Sequence, residues 1–348
     1  MADASQASDQ SRCVLVIGDG SWGTALALVA ARAGHYVRLW SHDPEASARL
    51  AADRENKRYL PGIQLPDNIE PVADPFQAAA GAELCLSVVP SRYLRSVAGQ
   101  FAEVLPAHLP VISASKGLEI ETFKRPTQIL GEVLGERPLG VLTGPSHAEE
   151  VALGKPASLL VACDEAPVAE LSQALLNGPR FRVYTSTDAI GAELGGALKN
   201  VIALAAGICD GLELGDNAKS AMITRGIVEL ARFGRSHGAR TETFFGLAGV
   251  GDLITTCCSP HSRNRSVGER IGRGASLTQV LEEMHMVAEG VWTTRALFGP
   301  ESDVHRSEPM PIAEQVHAIL FDGRPAGEAL EQLMQRSPAV EMEGLFDV

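Results

Sequence analysis

A chain of 348 residues exceeds the ~100–200 typical of one domain and is sized for two. With 45% hydrophobic and 21% charged residues it has a soluble globular composition, and its apolar runs break before the ~18 residues of a membrane helix, so no transmembrane segment is expected. A formal net charge of -13 excludes a general nucleic-acid binder, which needs a basic surface, but not a small anionic ligand held by a few local cations and helix N-termini.

The polar opening MADASQASDQSR lacks the apolar core of a secretory signal and is expected to be a flexible tail, 1–12, on a cytoplasmic protein. Strands are predicted at 13–17, 36–40, 84–89, 111–114, 140–143, 158–162 and 181–184. Between the first two, 24–34 is apolar on most faces and ends in a glycine suited to a helix C-cap. Short β-branched runs alternating with helical stretches are the pattern of a parallel sheet covered by helices. Beyond Thr187 the strand-like runs stop. Helices are predicted at 188–210, 218–237, 266–272, 276–284 and 311–319, so the boundary falls near 187. The cysteines Cys13, Cys85, Cys163, Cys209, Cys257 and Cys258 form no C-x-x-C pair and read as core residues in a reducing compartment. The stretch CCSPH at 257–261 has no standard zinc spacing, and no metal is expected.

GDGSWG, 18–23, follows the first predicted strand and opens the first predicted helix. In a nucleotide-binding βαβ unit the first glycine permits a tight turn, the second admits the pyrophosphate to the backbone, and the third lets helix and strand pack closely. Gly18, Gly20 and Gly23 stand at those places, with Ser21 and Trp22 between them. A dinucleotide site is expected; the alternative is a glycine turn without a ligand. Asp19 is an odd acid in such a loop. The phosphates bind backbone N–H groups and the helix N-terminus, so its carboxylate need not face them, and it becomes a candidate tuner of cofactor affinity. The tip of the second strand carries His42 and Asp43 side by side, which leaves NAD against NADP open. Asp43 is either a cofactor contact or the cap of the next helix.

Four further stretches hold polar groups that a plain core does not need: SASKGLE at 113–119, GPSHAEE at 144–150, GALKNVIALAAG at 196–207 and GLAGVGDLITTCCSPHSRNRSVGE at 246–269. With GSWGTALA, the ordered set SKG, GPS-x-A-x-E, LKN and GD-x(9)-SRN resembles the bacterial-type NAD(P)-dependent glycerol-3-phosphate dehydrogenases over roughly residues 13 to 300. The chain departs from that pattern at Asp19, where alanine is commoner, and after Gly299, where no motif aligns.

The resemblance implies a Rossmann-type α/β domain, 13–187, followed by an all-α domain, 188–340, for substrate and dimerisation, as in 6-phosphogluconate dehydrogenase-like folds. It implies reduction of dihydroxyacetone phosphate to sn-glycerol 3-phosphate by NADPH or NADH, the precursor step for phospholipids, and a homodimer. Product inhibition is a family expectation that no residue here locates. The carbonyl oxygen must gain a proton as hydride arrives, so a positioned acid is needed. Lys199 interrupts an apolar helix, where it is either a lysine with a perturbed pKa or one that snorkels to water. The resemblance makes it the general acid/base and a substrate contact. Lys116 lies where ligands of open sheets collect, and the resemblance gives it to substrate and cofactor; otherwise it is a surface lysine.

The resemblance likewise assigns Gly144, Ser146, Asp252, Ser262, Arg263 and Asn264 to the substrate. It assigns Gly18, Gly20, Ser21, Trp22, Gly23, His42, Ala148, Arg263, Val287 and Glu289 to the cofactor. A carboxylate at Asp252 near Lys199 would orient the ammonium or bind a glycerol hydroxyl, and would oppose a fall in the lysine's pKa. SRN at a helix start offers a guanidinium and free N–H groups to a phosphate, with Arg265 the competitor to Arg263. Two other readings are a dehydrogenase of a non-phosphorylated 3-hydroxy acid or sugar acid, and a non-catalytic nicotinamide-binding module. The first does not need the phosphate-binding pair of Lys116 and SRN; the second does not need Lys199, Asp252 and SRN together.

Overall fold

The computed structural model describes residues 11–284, 287–302, 308–338, 340–341 and 345. Most of the expected tail 1–12 lies outside them; Arg12 is held to the sheet, its carbonyl accepting the Tyr36 N–H at 2.9 Å.

Eight strands form one sheet: β1 (Cys13–Ile17), β2 (Tyr36–Trp40), β3 (Ile69–Val72), β4 (Leu84–Ser87), β5 (Val111–Ser113), β6 (Leu139–Thr143), β7 (Ala157–Cys163) and β8 (Phe181–Ser186). Their order across the sheet is β3-β2-β1-β4-β5-β6-β7-β8. Seven expected strands are present. The eighth, β3, is a sheet edge that the sequence reading lacked: its run IEPV carries Pro71, tolerated at an edge because no ladder there needs its missing N–H. The sheet is also not wholly parallel, since β6 and β7 pair antiparallel. Their connection carries only the five-residue helix Ala148–Ala152, a rise of about 7 Å. That is too short to return the chain along a strand, so β7 runs back.

The β1 run is buried on both faces, as helices covering a parallel sheet require. The helix Ser21–Arg32 packs on one face with Leu26 and Leu28, and Trp40 meets Phe101 edge-on at 5.0 Å on the other. Gly34, just past the helix end, has φ 93°, the left-handed cap the sequence suggests.

The sheet ends at Ser186, and among the described residues every element after it is helical. Asp188 caps the long helix Ala189–Gly211 through the Gly191 N–H at 2.9 Å and also accepts the Arg240 N–H at 3.0 Å. This helix is long and apolar enough to cross a membrane, contrary to the expectation from broken runs, but protein encloses it throughout, as in a soluble core. Its far end lies backbone to backbone against the helix Arg263–Gly272. A Cβ on Gly207 would stand 1.9 Å from the Arg265 carbonyl, and one on Gly268 would stand 2.0 Å from that of Leu204. This approach brings the start of the second helix beside Lys199.

Candidate active site

In the order β3-β2-β1-β4 the chain changes direction about β1, and in open sheets ligands bind outside the strand ends at such a point. A cleft of about 980 Å³ opens there, lined on one side by the glycine loop and on the other by Lys199, Asp252 and Arg263.

The three glycines of the loop are needed for different reasons. Gly18 has φ 114°, and a Cβ on it would meet the Val88 carbonyl at 2.6 Å. A Cβ on Gly23 would stand 1.8 Å from the Gly18 carbonyl, so helix and strand could not close. Around Gly20 a Cβ would meet no protein atom within 4 Å. The space left free there suits a pyrophosphate approaching the backbone at the start of the helix Ser21–Arg32, and the residues present fit a dinucleotide. Trp22 also lines the cleft; its buried Nε1 has no hydrogen-bond partner among the described residues.

Asp19 is buried and turned from the helix start, its Oδ2 accepting from Ser41 Oγ at 2.9 Å. Asn56 donates to the Asp19 carbonyl at 2.7 Å and to Thr24 Oγ1 at 2.8 Å, pinning the loop. Of the two roles open for Asp43, the cap is the one formed. It precedes the helix Pro44–Asp53 and accepts the Glu45 N–H at 2.9 Å, and backbone bonding to Ala46 first, then to Glu45, with Arg49 and His42 nearby, holds its carboxyl below the ordinary value. His42 is exposed at the cleft.

Across the cleft Asp252 begins the helix Asp252–Cys258, directly after the π-helical turn Leu247–Gly251 that the Gly-rich stretch GLAGVG forms. Such turns recur at functional sites because they re-aim the next side chain. Asp252 Oδ1 accepts from Lys199 Nζ at 2.5 Å and Oδ2 from Lys116 Nζ at 2.7 Å. Lys116 also donates to the Gly144 carbonyl at 3.0 Å and lies 3.5 Å from Ser146 Oγ. Lys199 is buried, and its ammonium also donates to Thr256 Oγ1 at 2.5 Å. Burial pulls its pKa from 10.5 down to about 8; Lys116 adds to the fall and Asp252 opposes it. Burial alone would raise the Asp252 carboxyl, but the two ammonium groups outweigh it and hold it below the usual aspartate value.

Ser262 caps the helix Arg263–Gly272 through the Arg265 N–H at 3.2 Å, and Arg263 is exposed in the cleft with Nη1 donating to the Val287 carbonyl at 3.0 Å. Arg265 is occupied elsewhere, with Asp210 at 2.6 Å and Glu269 at 3.1 Å. The Asn264 side chain is committed to a relay. Gly290 N–H donates to its Oδ1 at 2.9 Å, its Nδ2 donates to Asn200 Oδ1 at 2.9 Å, and Asn200 Nδ2 donates to the Lys116 carbonyl at 3.2 Å. What Asn264 offers a ligand is thus its main-chain N–H in the first helical turn. Ala148 starts its short helix beside Ser146 at the cleft wall. Glu289 begins the helix Glu289–Leu297 and crosses to the sheet half, accepting from Ser91 N at 3.1 Å and Ser91 Oγ at 2.6 Å. Burial raises its carboxyl against those two bonds.

Three further residues at or beside the cleft escape the sequence reading. Thr256 has a signal, its spacing of four from Asp252 on one helix. Ser91 has none, since its partner is 198 residues away. His147 stacks obliquely on His261 at 5.7 Å between centroids, and burial, with Lys199 behind it, lowers its pKa.

A dinucleotide loop at the switch point of an open sheet, facing a buried lysine–aspartate pair from a helical half, defines a two-part Rossmann-type oxidoreductase. The N-terminal domain of the NAD-dependent glycerol-3-phosphate dehydrogenases matches residues 13–169, and the C-terminal domain of the same enzymes matches 188–331. The chain is 47% identical to glycerol-3-phosphate dehydrogenase [NAD(P)+] of Moorella thermoacetica over 95% of its length and 98% of the relative's. It is 45% identical to that of Chlorobium limicola over 94% and 99%. The crystal structure of glycerol-3-phosphate dehydrogenase from Coxiella burnetii superposes with a TM-score of 0.89 at 36% identity, covering 94% of this chain and 99% of that one. The chain belongs to the NAD(P)-dependent glycerol-3-phosphate dehydrogenase family, and its cofactor is NADH or NADPH.

Proposed function

We propose that this chain reduces dihydroxyacetone phosphate to sn-glycerol 3-phosphate, reversibly, with Lys199 as general acid/base. The observation that carries the assignment of Lys199 is its engagement within the cleft. An ammonium has three donors; Asp252 and Thr256 take two, which leaves one for a substrate oxygen. A bound reduced nicotinamide would supply hydride to substrate C2. As charge develops on the carbonyl oxygen, Lys199 gives it a proton, and with a pKa near 8 it is charged at neutral pH and still able to release that proton. Asp252 holds both lysines in place, and Lys116 adds a second cation on the same side.

The substrate's phosphate is held, in this reading, by Arg263 with the first-turn N–H groups after Ser262 and with Ser146 nearby. That is how a chain of net charge -13 binds an anion. Residues 13–187 then form the cofactor half and 188–340 the substrate half. A homodimer through the helical half, a cytoplasmic location and a place in phospholipid supply belong to the same reading; light scattering on the purified chain tests the dimer. The activity itself is tested by mixing purified protein with dihydroxyacetone phosphate and NADH or NADPH. Loss of the reduced-nicotinamide absorbance is expected. No loss with either cofactor, or activity only on a non-phosphorylated 3-hydroxy acid, overturns the assignment.

A further inference from the structure

The end of the cleft beyond the glycine loop holds a carboxylate in an unusual place. In the nucleotide-binding βαβ unit the acid that receives the ribose hydroxyls comes from the tip of the second strand. Here that strand's acid, Asp43, is taken by the N-terminus of the next helix and by Arg49, 3.5 Å away. Asp19 belongs to the glycine loop instead, and it reaches the same tip. β1 and β2 are paired up to Ile17 and Trp40, the Gly18 N–H donates to the Trp40 carbonyl at 3.0 Å, and Ser41 donates to the Asp19 carboxylate. Ser41 is fully buried and in turn accepts the Asp43 N–H at 3.2 Å, so strand tip and carboxylate form one rigid unit.

The charge balance around that unit is mixed: Arg49 faces Asp43 and Glu45 and Lys57 faces Asp53 at 2.9 Å, while Arg58, over the Tyr59 ring at 4.9 Å, keeps its charge, and His42 lines the same end of the cleft. Asp19 lines the cleft with a hydroxyl as its partner and no ion pair among the described residues. An uncompensated carboxylate accepts hydrogen bonds from vicinal hydroxyls and repels a phosphate on the same ring.

We propose that Asp19 takes over the ribose-binding role of the strand-tip acid and makes this chain prefer NAD(H) over NADP(H). The inference rests on the dehydrogenase reading and sharpens its cofactor. Ser41 is a positioning residue for that carboxylate. Equilibrium titrations of the full chain with NADH and with NADPH, followed by calorimetry without substrate, test it. The wild type is expected to bind NADH tighter by on the order of ten-fold or more, a preference that shrinks with added salt. Asp19→Asn keeps the size and the acceptor for Ser41 while removing the charge; it is expected to cut the preference by about ten-fold, chiefly through tighter NADPH binding. Ser41→Ala should cut it by less. NADPH binding as tight as NADH in the wild type, or an unchanged ratio in a folded Asp19→Asn protein, overturns the inference and leaves the dehydrogenase reading intact. Binding of neither dinucleotide overturns both.

Discussion

Asp252 stands between two ammonium groups, its Oδ1 2.5 Å from Lys199 and its Oδ2 2.7 Å from Lys116. It is the main influence opposing the fall of the Lys199 pKa, while Lys116 promotes that fall. Asp252→Asn removes the first and leaves the second, so Lys199 should lose its proton well below pH 8, by about one unit or more. The alkaline limb of the reduction rate is expected to move by that amount toward acid, together with a lower melting temperature. A limb that stays in place shows that Asp252 does not set the lysine's protonation.

With Lys199 as the proposed general acid/base, opposite pH limbs are expected in the two directions. Reduction needs the ammonium, so kcat/KM is expected to be level below about pH 8 and to fall above it. Oxidation of the alcohol needs the free amine, and its rate should rise through the same pH. Lys199→Met should lower kcat by ~10²–10⁴-fold and abolish both limbs, with dinucleotide affinity unchanged. A variant that keeps its limbs removes Lys199 as the titrating group.

Arg263 donates to the Val287 carbonyl and otherwise offers its guanidinium to the cleft. A hydrogen bond to a charged group contributes about 1.5–3 kcal/mol, so Arg263→Ala is expected to raise KM for the phosphorylated substrate by roughly 10–100-fold. The effect on kcat should be smaller. Steady-state kinetics separates the two, and a loss confined to kcat would assign Arg263 to the chemical step instead.

What the sequence made legible was local chemistry. The glycine loop, the helix after it and the apolar helix around Lys199 each follow from spacing within a dozen residues, and all are present. What it hid depended on the chain meeting itself. β3 is four residues long with a proline inside, so no periodicity marks it. The antiparallel turn of β7 depends on how far the short helix Ala148–Ala152 can carry the chain. Asp43 fits cap and cofactor contact alike in the sequence, and the cap bond to the Glu45 N–H belongs to the folded chain; the use of Asn264 as a relay to Asn200 needed both helices in place. Ser91 and Glu289, 198 residues apart, could be joined only by the fold.

Gly20 and Gly23 separate ligand binding from folding. A Cβ on Gly20 meets no protein atom within 4 Å, so Gly20→Ala should leave the melting temperature nearly unchanged while weakening dinucleotide binding. On Gly23 the same Cβ lies 1.8 Å from a backbone oxygen, so Gly23→Ala should destabilise the sheet half as overpacking does, by about 3 kcal/mol. Thermal melts and titrations on both variants check this. Equal loss of stability in the two would contradict the open space at Gly20.

Glu229 is a buried carboxyl outside the cleft and a source of pH-dependent stability. It lies 5% exposed on the helix Gly215–Ser236 and accepts the N–H groups of Ile312 at 2.9 Å and Ala313 at 3.0 Å, in the first turn of the helix Pro311–Phe321. Burial pushes its pKa from 4.5 up to about 7, with Glu314 raising it further and the two backbone donors and Arg336 holding it down. The folded protein therefore binds this proton more tightly than the unfolded chain. The stability it contributes is fully present below about pH 4.5 and is lost as pH rises through about 7. At about 1.4 kcal/mol per pKa unit, the amount in play is about 3 kcal/mol. Glu229→Gln keeps an acceptor for the helix and does not titrate. Measured by urea unfolding, its stability relative to the wild type should rise by about that amount between pH 4.5 and 8. A difference that stays constant over this range would mean that the carboxyl does not change its charge in the folded protein.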